Sequence, residues 1–223
     1  MTDLEKSFVD VRRAFRLLSE YQKRIVGMVG YIKEKSPFTM LVGRKLGSNV
    51  IQAGNWIYDY ARLKVFPEMW GWDFLYGYLF EYYMGDFDFG YRRGIAEMSV
   101  FQVSDDGFAI SDVPGKHLTD VDTFASPESS GTWLILYAHF RSKGSKKNVW
   151  LGNTAWDKHT EYLWQFLHSG CNEKIDKSLD GKAISVMKKY PVCRFATQES
   201  TDGVLEDFNS LLEREKCAVI FFR

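Results

Sequence analysis

The chain of 223 residues has few cysteines, no net charge and no long apolar run. The three cysteines, Cys171, Cys193 and Cys217, stand far apart. An odd, sparse set excludes a disulfide framework, and the lack of any C-x-x-C pair excludes the usual zinc-thiolate spacing. They read as buried or idle thiols of a reducing compartment. No apolar stretch approaches the ~20 residues needed to cross a bilayer, and the opening "MTDLEKSFVDVRR" has no apolar signal core. The expectation is a soluble, cytoplasmic protein with no membrane partner. Internal repeats and low-complexity segments are also missing. So are a complete nucleotide or dinucleotide loop and a linear nucleophile–base–orienter signature, which argues for a binding protein rather than an enzyme and predicts no cofactor.

What is present is an ordinary globular mixture, 45% hydrophobic and 26% charged, with an unusually high aromatic share of 16%. A chain of this length buries enough surface to need neither disulfide nor metal staple. Charge is unevenly spread. Residues 1–65 carry twelve Lys/Arg against six Asp/Glu, residues 66–130 three against twelve, and residues 131–223 fourteen against eleven. The acidic middle argues against a nucleic-acid face there.

Leu4, Phe8, Val11, Phe15, Leu18, Ile25, Val29 and Ile32 recur at spacings of three and four, with Gln22 in the one polar slot. That pattern predicts a helix over residues 3–35, about 50 Å long at ~1.5 Å per residue, stopped by Pro37. Ala14, Tyr21 and Met28 widen the stripe beyond a strict two-position seam. Residues 1–36 are therefore read as a docking and dimerisation helix, packed partly on its own domain and partly on a second copy. Residues 37–223 are read as one α+β domain, a mainly antiparallel sheet covered by helices.

Beyond Pro37, "GRKLGSN" reads as a turn and helix cap in front of a helix from Val50. Arg44, Lys45 and Ser48 are its candidate phosphate-binding residues, although no Lys follows Gly47 as a P-loop requires. The segment from Glu68 to Arg93 holds eleven aromatic rings. Trp70, Trp72, Phe74, Tyr76, Tyr78, Phe80 and Tyr82 occupy successive even positions. Steps of two would scatter rings around a helix but align them on one side of a strand. The segment is therefore predicted to be a strand whose aromatic side lies under the first helix, with Asp73 and Glu81 on the other side. Trp72, Tyr76 and Tyr78, with Arg92, are the candidate residues for a small ligand or partner.

"GDFDFG", Gly85 to Gly90, reads as a turn, "RRGIAEMSVFQV" as the returning strand and "SDDG" as a further turn before Phe108–Ile110. Asp86, Asp88, Glu97 and Asp105 form the one carboxylate set that suits Mg²⁺ or Mn²⁺. With the basic hairpin at residues 141–147 on phosphate, they support an alternative reading as a metal-dependent phosphodiesterase or nuclease. A nucleic-acid-binding protein using basic loops and exposed rings is a third reading.

Residues 111–131 read as a long loop, and "TWLILYAHF" (Thr132–Phe140) as a buried central strand with His139 as a satisfied core residue. A strand at Asn148–Leu151 and a helix from Thr154 to His168 follow. "GKAISVMKKY" then reads as a short helix, "PVCRFAT" as a strand, "STDGVLEDFNSLLEREK" as a capped helix and "CAVIFF" as a terminal strand.

Overall fold

The structure is a computed structural model that describes residues 3–46, 78–90, 94–114, 120–142 and 158–222. It is α+β. A six-stranded antiparallel sheet has helices on both faces, and one long helix leads the chain.

Helix α1 runs Asp3–Glu34. Asp3 and Glu5 lie in its first turn and Lys33 in its last, which suits the helix dipole. The strands are β1 (Val42–Lys45), β2 (Leu79–Asp88), β3 (Ile95–Val103), β4 (Trp133–Arg141), β5 (Glu173–Lys177) and β6 (Ala183–Pro191). Their order across the sheet is β1-β2-β3-β4-β6-β5. The predicted central strand is β4, and Leu134 to Ala138 are buried on both of its sides. The other described helices are α2 (Gly107–Ile110), α3 (Lys158–His168) and α4 (Gln198–Arg214).

Alternation along the strands separates two cores. On one face, Tyr82, Met84, Met98, Val100, Leu134, Leu136, Val186 and Tyr190 meet Ile25, Val29 and Ile32 of α1 and Val204, Leu205, Phe208, Leu211 and Leu212 of α4. On the other, Leu79, Phe101, Ile135, Tyr137 and Met187 meet Phe108 of α2 and Leu163, Phe166 and Leu167 of α3. Leu163 and Leu167 are thus inward, as their spacing predicts.

The seating of α1 is set by the polar slot in its stripe. Gln22 Nε2 donates to Tyr82 Oη at 2.6 Å, and Gln102 Nε2 donates back to Gln22 Oε1 at 3.0 Å. Tyr82 Oη donates to Gln102 Oε1 at 2.9 Å, and Tyr21 Oη to Ser104 Oγ at 3.2 Å. Burial pushes the Tyr82 phenol up to about 12. This patch closes the rings of Phe80 and Tyr82 under the helix, as the even-position pattern predicts for that part of the segment. Residues 70–77 lie outside the described residues.

Several expectations are corrected. Arg44 and Lys45 sit on an edge strand paired with β2, not in a turn capping a helix. Strand β2 continues through Gly85 to Asp88, so the predicted Gly85–Gly90 turn begins too early. The reversal is instead closed by Phe89 N donating to Gly94 O and Gly94 N to Gly90 O, both at 2.9 Å. Phe108 to Ile110 form a helical turn fixed by Asp106, whose Oδ1 accepts from Gly131 N at 2.6 Å and Oδ2 from Trp133 Nε1 at 2.7 Å.

"GKAISVMKKY" is strand β6 rather than a helix. It pairs with β4 on one side and β5 on the other, and this tertiary pairing overrides a weak local helical spacing. Val192–Phe195 is a 3-10 turn instead of a strand. The last helix is capped, but earlier than expected: it starts at Gln198, and Thr197, assigned from sequence to a strand, is its N-cap, reciprocating with Ser200 as a capping box. The apolar run after it is not a strand. Asn209 replaces a ladder: its Oδ1 accepts from Ile220 N and Phe221 N at 3.2 and 3.1 Å, and its Nδ2 donates to Phe221 O at 2.9 Å. The strand expected at 148–151, the helix from Val50 and the start of the helix expected from Thr154 lie outside the described residues.

Candidate functional site

The sheet face that carries the α3 core turns polar toward the end of the β2–β3 hairpin. Backbone pairing aligns Asp86 with Glu97, Glu97 with His139, His139 with Ser185 and Ser185 with Asp176. Directly paired residues of antiparallel strands point to the same face. Five polar side chains from β2, β3, β4, β6 and β5 therefore form one row across the sheet. The adjacent row holds Tyr83, Ser99 and Tyr137, and Glu81 with its partner Arg44 follows.

A bulge is what assembles this row. Tyr83 pairs with Ser99 but Gly85 pairs with Met98, so one residue is extra on β2. Gly85 sits at φ +96, and a Cβ there would lie 3.1 Å from Met40 Cβ, so glycine suits both the backbone and the close passage of residue 40. Before the bulge, odd positions such as Glu81 and Tyr83 face the polar side. After it, even positions such as Asp86 do.

The charges are deeply placed. Glu81 is 0% and Glu97 1% exposed, and Ser99 and Arg141 are buried. Arg44 Nε donates to Glu81 Oε2 at 2.7 Å, and Ser99 Oγ donates to Glu81 Oε1 at 2.7 Å. Arg141 Nε donates to Glu97 Oε1 at 2.9 Å, and its Nη2 lies 3.7 Å from Asp86 Oδ2. His139 Nδ1 and Ser185 Oγ are 2.8 Å apart, and Tyr137 Oη is 3.4 Å from the same hydroxyl. Burial, and then the carboxylates of Glu97, Asp86 and Glu81, push the Tyr83 phenol well above its ordinary range. Burial does the same to Tyr137, against the hydrogen bond with Ser185. The arrangement offers hydroxyl, imidazole, carboxylate and guanidinium groups in a low-dielectric setting, where polar contacts are strong and mispaired ones costly.

The sequence-predicted residues are redistributed by this geometry. Asp86 and Glu97 come together, with Arg141 bridging them. Asp88 lies at the exposed end of β2, where its Oδ1 accepts from Gly90 N at 2.8 Å. Asp105 lies beyond the opposite end of β3, about 25 Å from Glu97 at ~3.3 Å per residue, with its carboxylate on Gly107 N. The four carboxylates therefore do not converge, and among the described residues no group of three or more His, Cys, Asp or Glu is placed to hold a metal ion.

Arg44 is committed to Glu81, while Lys45 points to the other side of β1 by alternation, which separates the two proposed phosphate ligands. Arg141, predicted on a basic hairpin tip, is buried at the end of β4. Tyr78 is half-buried and meets Phe124 edge-on with ring centroids 5.9 Å apart. Trp72, Tyr76, Arg92 and Ser48 lie outside the described residues.

Sequence reasoning missed Ser185 and Ser99 as site residues and took His139 only as a core residue. The available signal was the alternation in Ala183, Ile184, Ser185, Val186 and Met187, whose β-branched residues favour a strand.

A second surface stands out. Along α1, Ile25, Val29 and Ile32 are fully buried, yet the same stripe continues bare toward the N-terminus. Leu4 is 65%, Phe8 53% and Phe15 56% exposed, with Val11 and Leu18 also exposed.

The fold is thus an α+β sheet protein with a projecting apolar helix and a polar sheet face. The chain belongs to the family described as PM0109, which matches residues 1–216. No curated protein and no solved structure matches it.

Proposed function

We propose that the protein is a self-associating interaction protein that pairs through the first half of α1 and presents the polar face of the β2–β3 hairpin to a partner or small polar ligand. The carrying observation is the continuation of one heptad stripe from a buried half into an exposed half. A helix half whose apolar side chains stay exposed is marginal in water, and a row of large apolar side chains is where chains associate. The five exposed stripe residues offer on the order of 500 Å² of apolar surface per helix, and flanking stems bring two helices toward the lower end of the ~1,200–2,000 Å² of stable interfaces. The accessible members of the polar row, Asp86, His139, Ser185 and Asp176, support the second half of the reading, because the buried Arg141–Glu97 pair beneath Asp86 and the His139–Ser185 contact hold them as a fixed array suited to a polar group.

A cytoplasmic location accompanies this proposal. All three cysteines are free thiols, and no described helix is long and apolar enough to cross a membrane.

Light scattering after size exclusion tests the pairing. The wild-type chain is expected to run at twice its 25.9 kDa, and Phe15→Glu at the monomer mass with an unchanged thermal transition. A wild-type monomer at high concentration refutes the reading.

A further inference from the structure

We infer that two copies pair through α1 in antiparallel orientation, with Phe8 of each opposite Val11 of the other and Leu4 opposite Phe15. This rests on the self-association proposed above and adds its geometry. Three observations lead there.

The first is where the stripe goes. The helix face that carries Leu18 is the face that carries Ile25, Val29 and Ile32, and those three are sealed against the chain's own sheet. A parallel partner lying on Leu4 to Leu18 would run on along that face into the space the sheet fills. An antiparallel partner places the first turn of its own α1, which starts at Asp3, beside that point instead, leaving the two sheet domains at opposite ends of the joint.

The second is register. Seams pack by placing alternate stripe positions of one helix against those of the other. Sliding the partner one heptad inward would put Leu4 opposite Gln22, whose amide is already committed to Tyr82 and Gln102. Sliding it one heptad outward would leave Phe15 and Leu18 uncovered. The register with Phe8 opposite Val11 covers the bare stripe and stops short of the docked half.

The third is charge. Beside the seam, Glu5 follows Leu4 and Arg12 follows Val11. In the antiparallel register these flanking positions meet, Glu5 of each copy with Arg12 of the other, giving two unlike pairs. Their counterparts on the other flank, Ser7 and Ala14, are uncharged. In a parallel in-register pair Glu5 and Arg12 do not meet.

The test is a spin-label distance across the dimer. Cys171→Ser, Cys193→Ser and Cys217→Ala remove the native thiols, and Lys23→Cys places the label on an exposed position of the docked half. The antiparallel register offsets the two labels by about 27 residues, so a distance near 40 Å is expected at ~1.5 Å per residue. A distance near 20 Å would mean a parallel pair, overturning this inference while leaving self-association standing. No dipolar coupling together with a monomer mass would overturn both.

Charge exchange provides an arm that does not depend on labelling or cysteine removal. Glu5→Arg and Arg12→Glu are each expected to weaken dimerisation about tenfold or more, since each turns two attractions into repulsions. The double exchange is expected to restore it to within about threefold. Additive losses in the double variant would contradict the pairing of these two residues.

Discussion

Replacing Arg141 with alanine is expected to lower folding stability by about 3–5 kcal/mol, because it withdraws the guanidinium from a carboxylate that stays buried. Arg141 Nε donates to Glu97 Oε1 at 2.9 Å, both side chains are almost fully enclosed, and Asp86 stands on the same guanidinium. The loss belongs to the stranded charge and not to the pair itself. Glu97→Leu with Arg141→Met should therefore recover most of it, since swapping a buried ion pair for apolar groups of similar volume is often neutral. Urea unfolding of wild type, Glu97→Leu, Arg141→Met and the double variant measures the cycle, with Arg141→Ala beside it. A single-variant loss below about 1 kcal/mol would show that the pair is not enclosed as described.

Gly94→Ala is the second large effect, expected to cost about 2–4 kcal/mol from two sources. Gly94 sits at φ +72, where side chains with a Cβ are disfavoured. A Cβ there would also collide with the carbonyl oxygen of Arg141 on β4. That neighbour is backbone at the start of the β3–β4 ladder and cannot swing aside. Because Gly94 also closes the β2–β3 reversal, strain there is felt in the polar row that begins at Asp86 and Glu97. Thermal unfolding gives the size of the loss, and a variant as stable as wild type would contradict the close approach.

Much of this architecture was readable from residue order. The α1 stripe, its stop before Pro37, the buried run of β4 and the capped helix α4 all follow from periods of 3.6 and 2 with their punctuation. The parity of Phe80 and Tyr82 placed those rings beneath α1 and placed Glu81 opposite them.

The polar row was not readable, for specific physical reasons. The bulge at Gly85 reverses parity, so Asp86 joins Glu81 and Tyr83 although its number is even. A glycine inside a strand pattern, here between Met84 and Asp86, signals either a turn or a bulge, and only the pairing of β2 with β3 decides which. The edge strand β5, Glu173–Lys177, is mostly charged, which hides it among loop sequences while protecting the sheet edge. Ser185 lay in a segment whose strand state depends on having β4 and β5 on its two sides. The carboxylate set failed as a unit because linear proximity along a hairpin says nothing about which end of a strand a residue occupies. Asp105 sits past one end of β3 and Glu97 near the other.

The exposed half of α1 is expected to be covered by a second copy. Hydrogen exchange on the unmodified chain at two concentrations tests this most directly, since an unpacked helix half opens readily. The expected result is that amides of residues 4–18 are protected in concentrated protein and exchange quickly on dilution, while residues 25–32 remain protected in both. Equal exchange of residues 4–18 at the two concentrations, fast or slow, would contradict it.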